Sequence, residues 1–255
     1  MNRPSNSDAI LITGAASGIG LACARRLAAD GRPVALWDLN AAKIDEMARE
    51  LEDLTGSRCV GAAVDVRDTE ALAAAVDASR AEIGAFGGLV HAAGVAGVGQ
   101  ITDLTPQLWD NIMAVNLTAF PFLVQALLAD LKAADDAAIV GIASINAQLG
   151  NAMNPTYSAS KAGMQGLMRA LADELGSYGV RINTVSPGQI RTPMLEASLD
   201  AVEGLEQAFE KRIFLGRLGL ADEVAAAVQF LLSTDASYIT AQDLVVDGGN
   251  VPSQR

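Results

Sequence analysis

Two cysteines and one histidine are too few to hold a chain of 255 residues together by disulfides or to build it around zinc. Cys23, Cys59 and His91 fall in three separate segments, so neither a disulfide framework nor a metal cluster is expected, and no resident metal is assigned. Positive charge is also scarce. Eighteen Lys and Arg stand against thirty Asp and Glu, a net charge of −12, which argues against nucleic acid or an anionic membrane surface as partners. No unbroken apolar run reaches the roughly 18 residues of a spanning helix. The N-terminal "MNRPSNSD" lacks the apolar stretch of a signal peptide, so a soluble cytoplasmic protein is expected. Aromatic residues make up just 4%, yet 51% of the chain is hydrophobic, so any core must be aliphatic. Abundant alanine and glycine suit helices packed closely on a sheet.

Short apolar runs alternate with longer amphipathic ones from end to end. Strands are expected at Ala9–Thr13, Val34–Trp37, Cys59–Val64, Gly88–Ala93, around Ile139, at Val180–Val185 and at Asp243–Asp247. Helices are expected near 18–29, 41–54, 69–83, 107–131, 156–177 and 221–232. Strands this apolar, separated by helices, imply a parallel sheet covered on both faces. The expectation is one α/β domain over residues 1–255, a doubly wound seven-stranded parallel sheet. Residues 188–219 form its least regular part, read as a substrate loop with one or two short helices.

In such sheets ligands sit at the carboxyl ends of the strands. The first strand runs into "TGAASGIG", Thr13–Gly20. Gly14, Gly18 and Gly20 permit a tight turn, close approach of backbone to a ligand, and tight packing of helix on strand; the helix amides that follow favour a diphosphate. The spacing departs from the widespread G-x-G-x-x-G fingerprint. Asp38 ends the second strand, 18 residues beyond Gly20, near the distance at which an acid binds the adenosine ribose. The competing role for Asp38 is a helix N-cap, which Asn40 could equally fill.

"NPTYSASKAG", Asn154–Gly163, places Tyr157 and Lys161 four residues apart, on one face of a helix. With Thr-Gly-x-x-x-Gly-x-Gly at Thr13–Gly20, this Tyr-x-x-x-Lys pair makes the chain resemble the short-chain dehydrogenase/reductase family, with its Rossmann-type fold. The resemblance runs from about Ala9 to Gly249. It implies a catalytic set of Asn116, Ser144, Tyr157 and Lys161: Tyr157 as acid/base, Lys161 holding the nicotinamide ribose, Ser144 orienting the carbonyl or alkoxide oxygen, and Asn116 holding a relay water. A neighbouring ammonium lowers a phenol's pKa from near 10. It further implies cofactor contacts at Gly14, Ser17, Gly18, Ile19, Gly20, Asp38, Leu39, Asp65, Val66, Ala92, Ala93, Gly94, Pro187, Gly188, Ile190 and Thr192, besides Tyr157 and Lys161. One departure stands out. The family usually has Asn-Asn-Ala-Gly after its fourth strand, whereas this chain has "HAAG", His91–Gly94, where His91 reads as a brace of the sheet in preference to a contact with the adenosine half.

The leading expectation is an NAD-dependent oxidoreductase that interconverts a secondary alcohol and a ketone, assembled as a homotetramer through the helices near 107–131 and 156–177. A reductase of acyl-carrier-bound 3-oxo esters is the alternative. An epimerase or dehydratase and a non-catalytic nucleotide sensor fit the chain less well. Ser144, Asn146, Asn151, Tyr157, Gln189 and Met194 are expected to contact the substrate, with Val95, Gln148 and Leu195 near them. A small cyclic ketone, a steroid-like ring or a polyol all suit that mixture of amides and aliphatics.

Overall fold

A computed structural model of the protein describes residues 8–253, so most of "MNRPSNSD" lies outside the described residues. Strands and helices alternate: β1 (Ala9–Thr13), α1 (Gly18–Ala29), β2 (Val34–Asp38), α2 (Ala41–Thr55), β3 (Cys59–Ala63), α3 (Leu72–Ile83) and β4 (Phe86–His91). Next come α4 (Pro106–Met113), α5 (Ala119–Ala133), β5 (Ala138–Ile142), a short α6 (Asn146–Leu149), α7 (Pro155–Ser177) and β6 (Arg181–Pro187). The chain ends with β7 (Ile190–Arg191), α8 (Pro193–Ala201), α9 (Leu205–Glu210), β8 (Gly219–Leu220), α10 (Ala221–Leu231) and β9 (Asp243–Val246). Seven strands pair in the order β3-β2-β1-β4-β5-β6-β9, all parallel.

The reason lies in the strands themselves. Every residue of β1, β4, β5 and β6 is buried, as a sheet covered on both faces requires. One face packs against α1, α2 and α10, with Ile12, Leu27, Ile44 and Val228 in its core. The other packs against α3, α5 and α7, with Leu11, Leu89, Phe120, Leu127 and Met168. The strand order reverses beside β1, where β4 lies opposite β2, and this opens the crevice that positions the site.

Most boundaries fall within three residues of their expected places. The helix expected at 107–131 runs as α4 and α5 joined by one π-turn at 114–118, so one residue bulges at Asn116. Taken whole, Pro106–Ala133 is long and apolar enough to cross a membrane by length and composition, although polar residues interrupt its apolar runs. Its apolar side is occupied within the fold: Phe120, Leu123, Leu127 and Leu131 are fully buried. Each such side chain contributes about 1.5–3 kcal/mol on leaving water. The irregular segment 188–219 holds α8 and α9, and its base is closed by pairing of β7 with β8, strands too short to announce themselves in the sequence. Cys23 and Cys59 are buried free thiols, each pushed up to about 12 by burial, which disfavours the nucleophilic thiolate.

Candidate active site

At the end of β1 the backbone turns through Gly14 (φ +66°) and Gly18 (φ +54°), left-handed conformations that favour glycine. A Cβ at Gly14 would lie 2.8 Å from Ala93 Cα, so two backbones touch there. A Cβ at Gly20 would lie 2.2 Å from the Gly14 carbonyl oxygen, so α1 packs directly on the loop. Ser17 precedes α1 without capping it through its side chain, and the first-turn amides keep no side-chain partner. Asn40 caps α2 by accepting from Lys43 N at 3.1 Å, so Asp38 is free of that duty. Instead the Asp38 carboxylate accepts from Ala16 N at 3.1 Å and from Asn40 N at 3.2 Å, pinned against the glycine-rich loop.

The second half of the site comes from β5, the π-turn and α7. Lys161 is almost wholly buried and its ammonium donates to the Ile142 carbonyl at 2.7 Å. Burial lowers its pKa from 10.5 to about 8. Its Nζ sits 5.5 Å from the centre of the Tyr157 ring. Burial raises the Tyr157 phenol above its usual value, and the hydrogen bond with Ser144 opposes this. At Tyr157 burial thus outweighs the lowering expected from the Lys161 charge. Desolvation weakens the ammonium and the phenolate alike, so burial wins.

Asn116 is fully buried and its side chain is spent. Oδ1 accepts from Val95 N at 2.9 Å, while Nδ2 donates to the Val95 carbonyl at 3.0 Å and to Ser160 Oγ at 3.1 Å. Ser160 in turn donates to the Tyr157 carbonyl at 2.7 Å. Asn116 thus ties the loop after β4 to α7. Nothing in the sequence marks Ser160, a small residue between Tyr157 and Lys161, as this link.

A cavity of about 350 Å³ joins both halves. Of the residues expected at the cofactor, Gly14, Ser17, Gly18, Ile19, Gly20, Asp38, Leu39, Asp65, Val66, Ala92, Ala93, Gly94, Tyr157, Lys161 and Thr192 line it. Pro187, Gly188 and Ile190 do not; they belong to β6, β7 and the turn between them. Met194 and Val95 line the cavity, whereas Ser144, Asn146, Asn151 and Gln189, expected at the substrate, and Asn116, expected in the catalytic set, are not among its lining residues. Asn151 is exposed and accepts from Met153 N within its own turn, and Gln148 donates to Asp243 at 3.1 Å. Hydrogen bonds outside the cavity thus hold Asn151 and Gln148. Leu195 is also absent from the lining.

Arg67 and Asn111 are residues that sequence reading missed. Arg67 lines the cavity two residues beyond Asp65, grips both Asp65 oxygens, and donates to Asn111 Oδ1 at 2.9 Å. This ion pair lowers the Asp65 pKa, and it engages the carboxylate expected to meet adenine. The sequence "DVRD", Asp65–Asp68, places the arginine beside two acids but does not show which partner it takes.

The sequence matches a family profile described as enoyl-(acyl carrier protein) reductase over residues 14–250. D-threitol dehydrogenase of Mycolicibacterium smegmatis is 40% identical over 239 residues, 94% of this chain and 91% of that protein. A 3-oxoacyl-(acyl-carrier-protein) reductase of Chlamydia muridarum is 34% identical over 249 residues, 98% and 99% of the two chains. The crystal structure of levodione reductase superposes with a TM-score of 0.90 at 31% identity, covering 96% of this chain and 98% of that one.

Proposed function

Because the chain belongs to the short-chain dehydrogenase/reductase family of nicotinamide-dependent oxidoreductases, acting on CH–OH and keto groups, we propose that it is an NAD(H)-dependent enzyme interconverting a secondary alcohol and a ketone. The observation that carries this reading is the meeting of Tyr157, Lys161, Ser144 and Asn116 beside a cavity floored by glycine backbone. The residues fit a dinucleotide. Gly14 and Gly20 leave no room for side chains, the first-turn amides of α1 lack side-chain partners, and Asp38 supplies acceptors at the cavity's far end.

NAD, when bound, supplies the hydride acceptor for alcohol oxidation. The chain's own residues do the rest. Tyr157 takes the proton from the substrate hydroxyl, Ser144 hydrogen-bonds the same oxygen, and Lys161 keeps the local field positive. Lys161 also holds the ribose hydroxyls once it leaves the Ile142 carbonyl or shares its three donors. The Asn116 side chain, spent on Val95 and Ser160, offers no free donor to a relay water behind Lys161. The phenol and ammonium then exchange protons as one unit.

A small polyol or cyclic alcohol suits the chain better than an acyl carrier. The similarity to D-threitol dehydrogenase and to levodione reductase supports the first class. The 34% similarity to a 3-oxoacyl reductase supports the second. An acidic carrier needs free basic docking groups on a chain of charge −12. Arg191 is paired with Glu196 and Glu206, and Arg217 with Glu223, so two of the arginines near the loop are already neutralised. The protein is also read as a homotetramer through α4–α5 and α7, where Trp109 and Phe122 remain partly exposed. A monomer in light scattering at micromolar concentration refutes that assembly.

The test of the activity is a panel of secondary alcohols followed by NADH absorbance, with wild type and Tyr157→Phe. Loss of the phenolic proton is expected to cost at least about 10²–10⁴-fold in turnover with NADH affinity nearly unchanged. A Phe variant keeping more than about a tenth of wild-type turnover, with chemistry rate-limiting, removes Tyr157 from this role.

A further inference from the structure

His91 ends β4 in register with Thr13 of β1 and is wholly buried. Thr13 Oγ1 lies 2.9 Å from His91 Nδ1 and accepts from Ala93 N at 3.1 Å. A hydroxyl has a single hydrogen. The Ala93 amide takes one of its two lone pairs, so the hydroxyl is able either to donate to Nδ1 or to accept from it; with Nδ1 facing Thr13, the Val115 backbone is left to Nε2 and favours the ring proton there, with Nδ1 as the acceptor. Nε2 has no partner of good hydrogen-bond geometry, although the Val115 backbone of the π-turn favours the protonated ring. The ring stacks on Phe120 of α5 with centroids 5.5 Å apart. As a filler, an imidazole with a poorly satisfied nitrogen is a costly choice where a leucine would pack as well. The gain is the acceptor it offers Thr13.

That acceptor matters because of what Thr13 holds. Ala92, Ala93 and Gly94 line the cavity with side chains that cannot hydrogen-bond, so they contribute backbone position alone. The backbone of Ala93 rests directly on Gly14. We propose that His91 is a positioning residue for the dinucleotide: it orients the Thr13 hydroxyl, which holds the Ala93 amide and so sets the backbone floor between the glycine-rich loop and Gly94. This inference rests on the dinucleotide-binding reading above. Burial, with the Lys161 charge nearby, lowers the imidazole's pKa to about 3, so the ring is neutral at pH 7 and keeps one bare nitrogen.

His91 is the sole histidine of the chain, so ¹⁵N-imidazole labelling reports it without ambiguity. The expected spectrum at pH 7 shows a bare Nδ1 and a protonated Nε2. Two variants separate the two nitrogens. In His91→Asn the amide oxygen falls near the place of Nδ1 and keeps the Thr13 partner; in His91→Gln the amide reaches the place of Nε2 and loses it. Losing one ordering hydrogen bond is expected to weaken NADH binding about three- to tenfold in His91→Gln, with turnover at saturating cofactor within about threefold. His91→Asn is expected to bind NADH within about twofold of wild type. A Nδ1-protonated tautomer in wild type overturns the inference, as does equal loss of NADH affinity in both variants or no loss in the Gln variant. If His91→Gln does not fold, the wild-type tautomer and the Asn affinity still decide. Wild type binding neither NADH nor NADPH sinks the functional reading and this inference with it, whereas tight wild-type binding with an unaffected Gln variant sinks the inference alone.

Discussion

Replacing Asp38 is expected to collapse a strong preference for NAD over NADP. Two backbone amides, Ala16 N and Asn40 N, hold its oxygens at 3.1 and 3.2 Å, so the carboxylate cannot swing aside freely. Each ribose hydroxyl that donates to it contributes roughly 1.5–3 kcal/mol as a charge-assisted bond. NADP exchanges one of those donors for a phosphate. At a separation of about 4 Å and an effective dielectric of 20, two unit charges of like sign repel by about 4 kcal/mol. Arg67, the arginine in the cavity lining, is engaged by both oxygens of Asp65 and by Asn111, so it offers a 2′-phosphate little compensation. After relaxation, discrimination on the order of a hundredfold in kcat/KM should remain, since each 1.4 kcal/mol is tenfold. Two substitutions divide the effect. Asp38→Asn keeps an oxygen for the Ala16 amide and removes the charge, while Asp38→Ser removes both. The NAD/NADP ratio of kcat/KM should fall at least about tenfold in Asp38→Asn, and further loss in Asp38→Ser measures the support of the loop. Equal efficiencies with the two cofactors in wild type, or a ratio unmoved in Asp38→Asn, would refute the electrostatic argument.

Alcohol oxidation should rise with pH through the region near and above 8, because burial lowers Lys161 to about 8 and raises Tyr157, and the apparent pKa belongs to the coupled pair; a flat profile with chemistry rate-limiting contradicts this. Gly20→Ala sets a methyl 2.2 Å from the Gly14 carbonyl oxygen, so the loop must move; dinucleotide affinity should drop by at least tenfold and stability by about 1–3 kcal/mol, and calorimetry showing a wild-type Tm and affinity would be fatal to the packing argument. Unfolding lets His91 bind a proton near pH 6.5 that the native state refuses until about 3. Stability should therefore fall as pH drops from 6.5, by up to about 1.4 kcal/mol per pH unit, and urea titrations of His91→Asn between pH 6.5 and 5 should show a shallower slope. Identical slopes would place the acid sensitivity elsewhere.

Much of the molecule follows from local pattern. Apolar runs of strand length between amphipathic helical stretches specify a covered parallel sheet. Glycines at 14, 18 and 20 next to a strand end specify a backbone-lined crevice, and a four-residue spacing on a helix puts Tyr157 and Lys161 on one face. Even the choice between Asp38 and Asn40 as helix cap was posed correctly, although the hydrogen bond from Lys43 N to Asn40 was needed to decide it. Tertiary packing decided the rest. It buried Lys161 against the Ile142 carbonyl, spent the Asn116 amide on Val95 and Ser160, closed Arg67 onto Asp65, and left Asn146, Asn151 and Gln189 outside the cavity. Periodicity shows which face of an element turns inward. It does not show which polar atom on that face finds a partner first, because the partner comes from another element, and desolvation makes that contest decisive for both position and charge.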